Sequence, residues 1–399
     1  MNSSDLFGVD PIGLKELIGG AEEWRHAVEI VANVFDEYKG YVDGRKRPTY
    51  CKVTFTKVGR KNAELTVTDD GAGFDEISDV WTFFRSTSKR SSSQVSGRFN
   101  AGEKHLLAVA HSAVVVSNGH NVVFADGKRK HTKTSPIDGT VITVSLKWNF
   151  ETFNKALEQL KSLIAPEGLE YTVNGERVLN GDNPLGTVRA SLPTVILSDV
   201  DGMIALRKST RKCDVTILKV DDVQEAWLYE LGVPVCELSQ EFPYSLNVGQ
   251  KIPLPISRDV VDKKYVDRLI GEVIQAAPDI LNTEHSEAEF LKPALEFVQD
   301  EGAVVEVANR VFGDQVRWSS NVKSNGMASV QGVGIIPSKK FGKKFTARLN
   351  ETEALPTSLQ KYGSGKAKEI EIDVNEKIRC PKCNYSFDTE KVVRTLPLY

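Results

Sequence analysis

The sequence predicts an α+β fold, a mixed sheet backed by helices, and three observations predict it. Strand-like alternation recurs at residues 51–58, 64–69 and 140–146. Helical spacing is confined to a few stretches, the first at about residues 21–38. Asn118-Gly119 and Asp126-Gly127 are two-residue hairpin formers. Strands joined partly by hairpins and partly through helices argue against a doubly wound parallel sheet.

In the first helix Val28, Val31, Ala32 and Phe35 recur at i, i+3, i+4 and i+7, the pattern of a packing face. Glu29, Asn33 and Asp36 fall at i, i+4 and i+7 on a neighbouring face. A carboxylate able to activate water, one turn from an amide oxygen able to hold Mg²⁺, suggests phosphoryl chemistry. Acids and amides on a helix are, however, usually its solvated side. The triplet needs company.

The strand at 64–69 runs into Asp69-Asp70-Gly71-Ala72-Gly73-Phe74. A carboxylate fixed at a strand end can accept a hydrogen bond from an exocyclic amine such as that of adenine. Gly71 and Gly73 let backbone approach a base closely, although an isolated motif of this kind is more often a tight turn. Residues 85–93, polar and Ser-rich, have the composition of a lid and contain Thr87 and Lys89. Gly97, Ala101, Gly102, Glu103 and Lys104 then open an apolar helix through Leu106, Leu107 and Val109. Free N–H groups and the helix dipole favour an anion there, and Lys104 adds charge. Gly139-Thr140 enters the last strand, where the hydroxyl could reach a base held by Asp69, or simply favour β structure.

The chain has 399 residues, 40% hydrophobic and 26% charged, ordinary for a soluble protein of two or three domains. A net charge of −3 argues against a wholly basic nucleic-acid binder. Five scattered cysteines argue against a disulfide framework. With no signal-like N-terminus and no apolar run of membrane length, a cytoplasmic location is expected. Four regions are expected: a first unit at 1–148, a second at 149–278 holding a hairpin at 170–178 and ending in a helix at 260–277, a helical or mixed region at 279–370, and a tail at 371–399. Lys128-Arg129-Lys130-His131, Arg207-Lys208 with Arg211-Lys212, and Lys339-Lys340 with Lys343-Lys344 are basic clusters. Solvated loops are their default, a DNA-facing groove the sharper alternative. Cys380-Pro-Lys-Cys383 has the form of one zinc knuckle; four ligands are needed, so Zn²⁺ would require Cys213, Cys236 or a partner chain as well.

In order and spacing, the first-unit motifs resemble the ATP-binding domain of the GHKL superfamily, which includes gyrase B, heat-shock chaperones, histidine kinases and MutL. Glu29, Asn33 and Asp36 match its helix motif; Asp69, Gly71 and Gly73 its Asp-x-Gly-x-Gly; Gly97 through Gly102 its lid; Gly139 and Thr140 its closing pair. Thr87-Ser88-Lys89 and Gly102-Glu103 look most like the MutL branch. Asn100 and Ala101 depart from the small residues that many relatives carry. The resemblance implies a Bergerat sandwich binding ATP and Mg²⁺, with Glu29 as general base, Asn33 on the metal and Asp69 on adenine. It also implies a homodimer closed by nucleotide. A second, transducer-like unit would insert a lysine at the γ-phosphate, and Asn247-Val-Gly-Gln-Lys251 looks similar to that loop; a surface turn is the other reading. Mg²⁺-dependent ATPase activity is expected, with a DNA transaction as one setting for it and a non-hydrolysing ATP switch for a partner protein as the alternative.

Overall fold

The first helix, α1 (Glu23–Lys39), heads a computed structural model that describes residues 22–40, 44–82, 95–96, 102–181, 184–200, 203–220, 225–239, 241–255 and 260–312, with short stretches at 316–317, 334–335, 345, 378–379 and 386–387. Trp24, Ala27, Val28, Ile30, Val31, Val34 and Phe35 bury α1 on most sides. The sheet beneath it uses strands β1 (Tyr50–Val58), β2 (Asn62–Asp69), β3 (Ser112–Ser117), β4 (His120–Ala125), β5 (Lys128–Lys133) and β6 (Thr140–Leu146). Two further helices, α2 (Gly102–Val109) and α3 (Phe150–Ser162), belong to the same unit, α3 capped by the Asn149 side chain. Cys51, Val53 and Phe55 on β1 and Ala63, Leu65 and Val67 on β2 face the core, while Lys52, Thr54 and Thr56 face out. That alternation is what an antiparallel sheet covered on one face requires. The α+β class expected from the sequence is the class observed.

The hairpin β7 (Glu170–Val173) and β8 (Glu176–Arg177) was expected in the second unit. It joins the first sheet instead, giving eight strands in the order β5-β4-β3-β6-β2-β1-β7-β8. β7 runs parallel to β1, from Tyr50 opposite Glu170 to Val53 opposite Val173. The Asn174 side chain fastens the turn to Phe55, donating to its carbonyl at 3.0 Å and accepting its N–H at 2.7 Å. Tyr171 and Val173 are fully buried there, so core demand and an open strand edge decide the placement. The basic run 128–131, expected on a loop, lies on the exposed edge strand β5. Lysines on such an edge discourage pairing with another chain.

The second sheet has the order β12-β11-β13-β10-β9, with β9 (Pro184–Val200), β10 (Met203–Lys219), β11 (Trp227–Glu230), β12 (Val233–Glu237) and β13 (Tyr244–Val248). β9 and β10 form a 17-residue ribbon, longer than its alternation suggests. Only its base is held by β13, at Val215–Lys219. Helix α4 (Lys263–Ala276) packs on β9, with α5 (Leu291–Leu295) and α6 (Glu301–Phe312) behind it. Leu192, Val215, Leu246, Leu269, Ile274 and Val304 belong to this second core.

The β11–β12 turn docks the second sheet on the first unit. Val233 is buried in the first core, and Trp24 meets Trp227 edge-on at 6.0 Å. Arg25 donates to the Val235 carbonyl at 2.8 Å, and the Ile164 N–H to that of Gly232 at 3.0 Å. No helix among the described residues is long and apolar enough to cross a membrane.

Candidate functional site

Asp69 ends β2 in the middle of the first sheet, opposite Cys51 on β1 and Thr140 on β6. Its carboxylate accepts the Gly71 N–H at 2.8 Å. Burial pushes its pKa up to about 6; the Gly71 and Thr140 N–H groups pull the other way, and the charges of Glu37 and Asp70 add to the rise. Asp70 has a different task. It accepts from the Thr49 N–H at 2.7 Å, the Thr49 hydroxyl at 2.6 Å and the Tyr50 N–H at 3.1 Å. Burial opposes its charge, but these bonds outweigh it and hold its pKa below the usual value.

Two glycines shape the floor. Gly139 has φ +71°, and a Cβ on it would stand 2.0 Å from the Asp69 carbonyl oxygen. Gly73 has φ +72°, with a Cβ there 2.5 Å from Ser117 Oγ. At 139 the backbone of Asp69 leaves room for glycine alone, and at 73 the left-handed conformation favours glycine. Thr140 is buried, its hydroxyl 3.0 Å from that of Ser117. Ser117 also accepts the Phe74 N–H at 3.1 Å, and Asn118 donates to the carbonyls of Ala72 and Phe74 at 3.0 and 2.8 Å. Neither Ser117 nor Asn118 was singled out in the sequence as a site residue. Their signal is positional: Ser117 pairs with Thr140, and Asn118 opens the adjoining turn.

Along α1 the residues Arg25, Glu29, Asn33 and Glu37 form a half-buried line at four-residue spacing, between positions that are mostly buried. Glu29 and Asn33 therefore share an edge, while Asp36, placed on the same face by its spacing, is buried because it turns to Ser96. Glu37, not anticipated, pairs with Arg45 at 3.0 Å. Arg45 donates to the Gly73 carbonyl at 2.9 Å and also pairs with Asp75. This arginine ties α1 to the glycine turn. Asp36 is buried beneath Ser96: it accepts the Ser96 N–H at 2.7 Å and lies 3.1 and 3.2 Å from the hydroxyl.

Gly102 and Glu103 open α2, and Lys104 within it is buried. Thr87, Lys89, Gly97, Ala101, Cys380 and Cys383 lie outside the described residues. Lys251 is 2% exposed, so it is no surface turn. Its carbonyl accepts the Thr194 hydroxyl at 2.7 Å, and the next N–H, of Ile252, donates to Glu230 at 3.2 Å.

The oxygen donor of Asn33, one turn from a carboxylate, suits a hard cation that keeps its other positions for water and phosphate. Burial pushes the thiols of Cys213 and Cys236 up to about 11. No cluster of three or more His, Cys, Asp or Glu among the described residues is placed to hold a metal. A cleft of about 940 Å³ lies elsewhere, between α3 and the second sheet, and none of the candidate residues lines it.

No protein-family model matches the chain, and no curated protein does. Solved structures do. The ATPase region of Saccharomyces cerevisiae topoisomerase II is 10% identical, with 56% of this chain and 72% of that one covered at a TM-score of 0.33, the same values being obtained for its complex with dexrazoxane. The N-terminal domain of a DNA repair protein is 13% identical, with 62% of this chain and 91% of that one covered at a TM-score of 0.36.

Proposed function

We propose that the chain is a Mg²⁺-dependent ATPase of the GHKL type, its first unit a Bergerat sandwich extending to the 170–177 hairpin. The observation that supports this most is the Asp69 cradle: a half-buried carboxylate at a strand end, against Gly139, where the Asp69 backbone leaves no room for a Cβ, reached by the Thr140 N–H and flanked by the Thr140 hydroxyl. Asp69 would accept the adenine amine, with Gly71 and Gly73 giving the base room and the Thr140 hydroxyl beside it. The phosphates would extend to the start of α2, where the Gly102 and Glu103 backbone and the Lys104 charge favour an anion. Thr87, Lys89, Gly97 and Ala101 belong to the lid in this reading, and Asp36 holds its base through Ser96. Asn33 would hold Mg²⁺, which when bound neutralises phosphate charge.

Glu29 would take a proton from water as the water oxygen bonds to the γ-phosphorus and the bond to the bridging oxygen breaks, leaving ADP. Lys251 would place its charge toward the γ-phosphate from the transducer-like second unit. Closure would favour a homodimer, and slow turnover would suit a conformational clock. Equilibrium ATP binding and phosphate release test the roles. Glu29→Ala should bind ATP normally yet release phosphate about 10²–10⁴ times more slowly, while Asp69→Asn should lose binding. Normal hydrolysis without Glu29 would refute the base; binding without hydrolysis in the unaltered chain would favour a nucleotide switch for a partner protein.

A DNA transaction is a second reading. It is favoured by the exposed Arg207, Lys208, Arg211 and Lys212 on the projecting β9–β10 ribbon, where phosphate contacts need only rows of cations. ATP-dependent, salt-sensitive DNA binding would support it, and none at low salt would end it.

A further inference from the structure

Lys39, in the last turn of α1, has no part in the chemistry above, yet it is drawn into the junction between the two units. Its Nζ donates to the backbone carbonyl of Leu231, 192 residues away. The carboxylates of Asp36 and Glu230, one from each unit, both attract it; burial works against them and leaves its pKa below the usual lysine value. Asp36 is the residue that holds Ser96. Glu230 is the residue that accepts the Ile252 N–H, next to Lys251.

The carbonyl that Lys39 grips belongs to an unfavourable turn. Leu231 has φ +53°, a left-handed conformation that a two-residue hairpin normally gives to Asn, Asp or Gly. The cost is tolerated because the turn is held from several directions. The Leu231 N–H donates to the Val248 carbonyl at 2.9 Å, and the Gly232 N–H to the Asn247 side chain at 2.8 Å. Both acceptors lie on the strand that leads into Lys251. The side chain of one lysine thus touches a turn whose Leu231 and Gly232 N–H groups both donate to the strand leading into Lys251, and whose Gly232 carbonyl accepts from Ile164 of the first unit, while its charge neighbours the anchor of Ser96.

We propose that Lys39 is a positioning residue that couples the Ser96 anchor to the Lys251 segment, so that nucleotide bound in the first unit sets the placement of the second. The chain is Ser96, Asp36, Lys39, the 230–232 turn, then Lys251. Moving Ser96 on nucleotide binding alters the field that Asp36 exerts on Lys39, and with it the grip on the turn. This inference rests on the ATP reading of the site.

The test uses the full chain with ATP and Mg²⁺ for turnover, and a non-hydrolysable ATP analogue for hydrogen exchange of residues 227–252. In the unaltered chain the analogue should slow exchange there. Lys39→Met should keep ATP affinity within about threefold but lower kcat about tenfold and abolish the exchange response, and Lys39→Arg should restore part of both. A merely structural lysine would change melting temperature without separating affinity from kcat. If Lys39→Met does not fold, Lys39→Gln carries the test, since it keeps a donor for the carbonyl without the charge. A folded variant with unaltered kcat and exchange response overturns the inference. So does an unaltered chain that binds ATP with no response at 227–252, and that result leaves the ATP reading standing. An unaltered chain that binds no ATP overturns both.

Discussion

The Asp36 carboxylate accepts the Ser96 backbone N–H at 2.7 Å across sixty residues of sequence, with the Ser96 hydroxyl on both of its oxygens. A buried carboxylate that loses one of these partners keeps its desolvation cost. Ser96→Ala should therefore destabilise the chain by about 1–3 kcal/mol. Urea unfolding followed by far-UV circular dichroism measures it, and equal midpoints would mean that the hydroxyl contributes nothing in solution.

Asp69 makes nucleotide affinity depend on pH. With a pKa raised to about 6, it is mostly protonated at pH 5 and mostly ionised at pH 7. The ionised form is the better acceptor for an amine. ATP affinity should fall about tenfold from pH 7 to pH 5. Glu37→Gln, which removes one of the charges that raise the Asp69 pKa, should shift that fall to lower pH, and a fall that does not move must come from another group.

Gly139→Ala should be among the most damaging small substitutions. The new Cβ would meet the Asp69 carbonyl oxygen at 2.0 Å on a backbone at φ +71°. Both strain and displacement of Asp69 follow, costing about 3 kcal/mol or more. Thermal melting and ATP titration together detect it. An alanine variant with unaltered melting would show that this stretch relaxes freely.

His26 makes the first core acid-sensitive. Burial, with smaller contributions from the nearby His105 and Arg25 charges, holds its pKa down at about 4, against an unfolded value near 6.5. Between those values the unfolded chain binds the extra proton, so stability is lost as pH falls from 6.5 toward 4. Asp69, with its raised pKa, acts in the opposite direction, so the informative quantity is a difference between variants. His26→Gln should reduce the stability lost between pH 7 and pH 5 by about 1–2 kcal/mol, read from paired urea titrations. An identical pH dependence in the variant would place His26 in a wetter setting than its 4% exposure implies.

Much of the first unit is legible along the chain. The alternation of β1, β2 and β6 and the apolar spacing of α1 report which faces are covered, because strand and helix periods project directly onto faces. The turns at Asn118-Gly119, Asp126-Gly127 and Asn174-Gly175 have the positive φ values that their residue types favour. Arg45, Glu37, Ser117 and Asn118 were not legible as site residues. Each acts by reaching a backbone or side chain far away in sequence, and no local pattern marks such a reach.

What the sequence determined by itself is local: where backbone must turn, which faces are apolar, and which residue types follow one another from Glu29 to Thr140. Tertiary structure alone decided that Asp36 lies under Ser96, that β7 pairs with β1, that Lys251 is buried, and that Lys39 holds Leu231. Periodicity and turn chemistry depend on a few neighbouring residues, whereas a buried polar group or an open strand edge is satisfied by whichever distant partner the packed core brings within reach.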